Sequence, residues 1–135
     1  MKDGSRILRV ENLAGASISI GVIIFIDQIL GLLYGSDGSV IMNDLISGSL
    51  LFYVIIHTFA GSLSGYLVER KTGNQTPQIS ILTSLLAYIF ESLYYQLLIG
   101  RFEGIWSLCS LIIGGLMGFF FAKIRKERKT LQKAV

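Results

Sequence analysis

Four runs of apolar residues, each long enough to cross the hydrocarbon core of a bilayer, constrain this chain more than any other feature. They cover residues 14–34, 45–68, 78–99 and 104–124. A spanning helix needs about 20 mostly apolar residues, and at ~1.5 Å per residue these runs extend about 31–36 Å. The chain has 135 residues, 52% of them hydrophobic and 16% charged. A soluble domain of that size buries only ~60–70% of its chain surface, too little to hide so much apolar material. The sequence therefore predicts an all-α, polytopic membrane protein: one membrane domain over 1–135, four transmembrane helices, and a basic tail over 125–135.

The first run reads as a span. Its apolar stretch exceeds the 7–15 residues of a secretory leader core, and its small pair, Ala14 and Ala16, precedes the run instead of following it. Eleven Ile, Leu, Val and Phe residues in 14–34, at about −0.3 to −0.6 kcal/mol each, outweigh roughly +3 kcal/mol for the single Asp27.

Positive charges orient the spans. Lys2, Arg6 and Arg9 precede the first, and Arg70 and Lys71 lie between the second and third. Lys123, Arg125, Lys126, Arg128, Lys129 and Lys133 follow the fourth. All of these fall on one side if both termini are cytoplasmic, and only Arg101 falls on the other. The loop 35–44, "GSDGSVIMND", has two aspartates and no positive charge, as an outer loop would. The tail "KIRKERKTLQK" anchors this topology and attracts anionic lipid headgroups at ~1 kcal/mol per charge, so no nucleic-acid partner is needed to explain it. Asn74-Gln75-Thr76 matches a glycosylation acceptor but lies on the cytoplasmic side. Thr76 and Pro77 read instead as the cap and first turn of the third helix.

One phrase occurs twice. "GSLSGYLVERK" (61–71) closes the second helix and "GGLMGFFFAKIRK" (114–126) closes the fourth. Gly61 aligns with Gly114, Leu63 with Leu116, Gly65 with Gly118 and Tyr66 with Phe119. The first helix of each pair carries one carboxylate, in "FIDQILGLLYG" and "IFESLYYQLLIG". The chain thus reads as two tandem hairpins, 14–71 and 78–126, and a parallel duplication implies a pseudo-two-fold axis along the membrane normal. Lipid gives helices no hydrophobic reason to associate, so close packing at small residues has to hold them. Gly61 and Gly65, Gly114 and Gly118, and Gly31 and Gly35 are the expected packing positions. In the fourth helix the stripe extends through Ser110, Gly114, Gly118 and Ala122, which predicts tight packing of helices two and four, within a subunit or across a dimer.

Three ionisable side chains lie deep in the runs: Asp27, His57 and Glu91. Each sits about 16–20 Å from the cytoplasmic end of its helix, so all three could share one layer. Glu91 shares its face with Ser84, Ala87, Tyr88, Tyr94 and Tyr95, and His57 with Tyr53, Ala60, Gly61 and Ser64. Asp27 is placed inward by the cost of exposing a carboxylate to lipid. Gln28 shares a stripe with Gly21 and Gly35, a further contact face. The functional expectation is a site for a proton, a cation or a cationic solute formed by Asp27, His57 and Glu91. A shared proton, or a cation between the two carboxylates, would relieve their repulsion. His57 would relay protons near neutral pH, with Tyr53, Tyr88, Tyr94 and Tyr95 beside the path. The competing expectation is that these groups only hydrogen-bond helices together, at ~0.6 kcal/mol per contact.

Other chemistries find little support. The residues contain no phosphate-binding loop, no nucleophile elbow and one histidine, so neither an enzyme nor a metal or cofactor site is expected. The lone Cys109 has no internal disulfide partner and reads as a small apolar filler of the fourth helix. Trp106 and Arg101 fit anchors at the outer interface.

Four short spans, the second closed by "GSLSGYLVER" and the fourth by "GGLMGFFFAK", resemble small uncharacterised four-helix membrane proteins of bacteria and archaea. That resemblance implies a prokaryotic plasma membrane and no particular activity. Small multidrug transporters are similar in size and keep a carboxylate in the first helix, where Asp27 would stand, but the residues around it differ and Glu91 departs from their scheme. Small fluoride channels are also four-helix dimers, and their polar signature is missing. The expected function is a homo-oligomeric proton- or cation-linked transporter or channel. The alternative is a non-catalytic accessory subunit that packs against a larger membrane complex through its glycine stripes.

Overall fold

The computed structural model describes residues 10–34, 48–73, 76–100 and 104–133. These form four α-helices: α1 Val10–Tyr34, α2 Gly48–Thr72, α3 Gln78–Ile99 and α4 Ile105–Lys133. Each is long and apolar enough to cross a membrane. α3 coincides with its run at 78–99, but the other three helices extend beyond theirs. α1 begins four residues before the run at 14, and α4 continues as helix through most of the basic tail. A helix ends where its backbone is capped, not where its hydropathy falls.

Two of those ends are glycine caps. Gly73 (φ 59) and Gly100 (φ 72) take the left-handed conformation that glycine adopts without strain. Their N–H groups donate to the carbonyls of Glu69 (2.8 Å) and Gln96 (3.1 Å). At the start of α3 the expectation shifts by one residue. Pro77 itself is the N-cap and no side chain caps the turn, so Thr76 does not cap the helix.

The bundle is built on α2 and α4, which run parallel and pack at backbone distance. A Cβ added at Gly61 would stand 2.5 Å from the Leu111 carbonyl oxygen, and one at Gly65 would overlap the Gly115 carbonyl. The relation is reciprocal: a Cβ at Gly114 would overlap the Thr58 carbonyl and one at Gly118 that of Ser62. Shifting each residue by the 53 positions that align the repeated phrase (114 minus 61) converts the first two contacts into the second two. The phrase therefore encodes a local two-fold axis between α2 and α4. Ser110, Gly114, Gly118 and Ala122 are all buried along this seam.

The symmetry stops at those two helices. α3 lies against both α2 and α4, whereas α1 packs on α2 and α3 and does not reach α4. A two-fold relating whole hairpins would put α1 and α3 on opposite sides of the α2–α4 pair, and here they share one side. α1 enters through Gly15, where a Cβ would overlap Val68 and stand 2.9 Å from Thr83, and not through the expected Gly31 and Gly35. Gly31 is only half-buried, and Gly35 lies outside the described residues, as do Arg101 and the loop 35–44.

Inside and outside are inverted relative to a soluble bundle. Asn12, Ser19, His57, Ser64, Thr83, Ser84, Glu91, Ser107 and Ser110 are buried, while Phe25, Leu32, Phe59, Leu97 and Phe120 point outward. Soluble monomers rarely expose apolar patches larger than a few hundred Å². Here such side chains cover the outer faces of all four helices. Gly21 and Gln28 belong to that exposed surface, so among the described residues nothing packs on this second face of α1. Cys109 is exposed as well and fills no interior gap.

Candidate functional site

The buried polar groups form a chain across three helices. His57 Nε2 lies 2.5 Å from Glu91 Oε1, with each side chain almost wholly buried, at 2% and 1% exposure. Ser107 on α4 donates its hydroxyl to Glu91 Oε2 at 2.7 Å. On the far side of the imidazole, Nδ1 lies 2.8 Å from the Tyr53 carbonyl oxygen, one turn back along α2. The Tyr53 ring covers the imidazole, with centroids 3.9 Å apart.

This geometry fixes a tautomer. A backbone carbonyl can only accept, so Nδ1 must carry hydrogen. One further proton then sits between Nε2 and Oε1. It belongs either to an imidazolium facing a carboxylate or to a carboxylic acid facing a neutral imidazole. Removing it would set the Nε2 lone pair against a carboxylate lone pair, and the 2.5 Å contact could not persist. Proton occupancy is thereby linked to the closeness of α2 and α3.

Asp27 has a separate partner, accepting a hydrogen bond from the Tyr95 hydroxyl. Tyr95 lies one helical turn along α3 from Glu91. Asp27 is half-buried and continues the buried stripe Asn12, Ala16, Ser19, Ile23 of α1. It remains close enough that His57 and Glu91 both act on it electrostatically. The hydrogen bonds of the described residues pair Glu91 with His57 and Asp27 with Tyr95, and none joins the two carboxylates directly. Glu91 is committed to His57 and Ser107, and among the described residues no group of three or more His, Cys, Asp or Glu could hold a metal ion.

Tyr53 thus contributes its carbonyl and its ring. Tyr88 is half-buried against the apolar core, and Tyr94 meets Tyr95 edge to face at 5.4 Å.

Sequence reasoning missed Ser107, although a signal was present. It precedes Ser110 and Gly114 by three and seven residues, on the stripe already recognised as the packing face of α4. Two further ties went unforeseen. Thr83 donates to Asn12 Oδ1 at 3.4 Å, and Ser84 donates to the Leu111 carbonyl at 2.9 Å, beside Gly115. Comparison with protein-family models, curated proteins and solved structures gives no match to this chain.

Proposed function

We propose that this chain is a multi-pass protein of a prokaryotic plasma membrane, with both termini cytoplasmic, acting as a homo-oligomeric proton- or cation-linked transporter or channel. The observation that carries this reading is the His57–Glu91 pair, 2.5 Å apart and shut away from solvent. A proton, and not a metal cation, is the species this pair is built to hold. Ionisable groups inside membrane spans are costly, and they mark ion and proton pathways more often than structural ties. Its two protonation states favour different separations of α2 and α3, which is the element that alternating access or gating requires.

The homo-oligomer rests on the outer face of α1. Gln28 is exposed there, and an amide facing hydrocarbon gains from a partner that a second copy would supply. Anionic lipids are the expected partners of the basic tail, and nucleic acid is not. In the accessory-subunit reading, glycine stripes dock onto a larger complex. Gly61, Gly65, Gly114 and Gly118 are already occupied within the chain, so that reading needs a different surface.

The test is proton flux into liposomes carrying the purified protein and a pH-sensitive dye. Glu91→Gln keeps a group of the same shape between His57 and Ser107 but removes the exchangeable acid. Flux should fall to the protein-free level while the protein stays folded. Undiminished flux in Glu91→Gln, or none in the parent protein under either a pH or a cation gradient, would end the proposal.

A further inference from the structure

A second polar site lies at the basic ends of α2 and α4, away from the His57–Glu91 pair. A cleft of about 260 Å³ opens there, with Tyr66, Glu69, Arg70, Arg125 and Lys126 in its walls. That is below the ~300–1,000 Å³ of pockets for drug-sized ligands and suits a single headgroup. Arg125 already donates to the Tyr66 hydroxyl at 2.6 Å, which holds one guanidinium at the cleft edge. Its remaining donors, with those of Arg70 and Lys126, are of the kind that binds phosphate.

Glu69 does not fit a plain anion site. It is more than nine-tenths buried, and its Oε2 is shielded from solvent with no hydrogen-bond donor in reach among the described residues. Lys123 and Lys126 act on it electrostatically, yet neither closes to an ion pair. A buried oxygen left without a donor calls for a partner beyond the described residues, and the adjoining cleft is where a ligand could supply one. A ligand that satisfies the whole cleft must bring a phosphate for the arginines and an N–H cation for Glu69.

We propose that this cleft binds a phosphoethanolamine group, held through its phosphate by Arg70, Arg125 and Lys126 and through its primary ammonium by Glu69. The headgroup of an aminophospholipid in the surrounding leaflet is one source, and a soluble phosphoethanolamine ester is the other. The chemistry discriminates among lipids. A phosphocholine headgroup offers the same phosphate, but its quaternary ammonium has no N–H to give Glu69. A phosphoglycerol headgroup has no cation at all.

Native mass spectrometry of the full chain in detergent, titrated with phosphatidylethanolamine, phosphatidylcholine and phosphatidylglycerol of matched acyl chains, reads this directly. Phosphatidylethanolamine should be retained roughly tenfold over the other two, the factor that about 1.4 kcal/mol from one charge-assisted hydrogen bond provides. Glu69→Gln should erase that preference, and Arg125→Gln should weaken the phosphatidylethanolamine and phosphatidylcholine adducts alike. Displacement of the lipid by free phosphoethanolamine supports a soluble source, and failure to displace it supports the lipid. Equal retention of all three lipids, or tightest retention of phosphatidylglycerol, would show only a basic surface and overturn the proposal. If Glu69→Gln does not fold, Arg125→Gln at the exposed rim still decides: unchanged phosphatidylethanolamine binding in that variant overturns it.

Discussion

His57 on α2 and Glu91 on α3 meet at 2.5 Å, and Ser107 on α4 closes the carboxyl group from its other side. One side chain therefore ties three helices together, and the tie depends on a single proton. Removing one member of a buried hydrogen-bonded pair leaves the other unsatisfied, at a cost of about 1–3 kcal/mol for neutral partners and about 3–5 kcal/mol for charged ones. Glu91→Ala should lower stability by that order in thermal unfolding in detergent. Glu91→Gln, whose amide can donate to Nε2 and accept from Ser107, should lose much less. Equal losses would mean that size alone matters at this position.

The α2–α4 seam makes an independent prediction. A methyl group at Gly114 meets the Thr58 backbone, with its Cα 2.9 Å away. Backbone cannot step aside as a flexible side chain can, so Gly114→Ala should cost about 1–3 kcal/mol through overpacking. Within one chain Gly21→Ala meets nothing within 4 Å, so in the dispersed monomer it should be neutral or stabilising by about 0.5–1 kcal/mol, the helical advantage of alanine over glycine. Unfolding of the two variants side by side checks both signs.

Asp27 accepts from the Tyr95 hydroxyl, and Glu91 accepts from that of Ser107. Tyr95→Phe and Ser107→Ala should each cost about 0.6 kcal/mol, and at most about 1.7. A double-mutant cycle of the two measures the coupling that the electrostatic action of Glu91 on Asp27 implies, and it should stay within about 0.5–1 kcal/mol. A coupling well above that would make them one hydrogen-bonded network.

The outward face of α4 supplies a test of insertion. Cys109 is exposed on that face, between the outward-pointing Ile105 and Ile113. A lipid-soluble maleimide should label it in membranes, and a charged, impermeant one should not until detergent is added. Immediate labelling by the charged reagent would place this face in water.

The sequence made the four helices legible because span length and apolar content are properties of single segments. The α2–α4 seam was legible too, since Gly61, Gly65, Gly114 and Gly118 repeat at helical spacing within a duplicated phrase. Partner choice was harder. His57, Glu91 and Asp27 were read at one depth, but depth along a helix says nothing about which side chain lies opposite. The hydrogen-bonded partner of Glu91 is the imidazole of His57, because α3 lies in the groove between α2 and α4 with α1 beside it. The entry of α1 through Gly15 was missed for a related reason. The small and polar stripe Asn12, Gly15, Ala16 and Ser19 lies a few turns before the glycines that flank Asp27 and carries no ionisable group to mark it.

The central claim, one proton held between His57 and Glu91 with Nδ1 turned to a backbone carbonyl, can be read from a single residue. The chain contains one histidine, so ¹⁵N-labelled histidine gives one pair of ring resonances. The account predicts that Nδ1 is protonated and that Nε2 takes a strongly hydrogen-bonded shift, with only the Nε2 signal moving substantially in Glu91→Gln. A ring protonated at Nε2 with bare Nδ1, or a spectrum identical in the parent protein and Glu91→Gln, would contradict it.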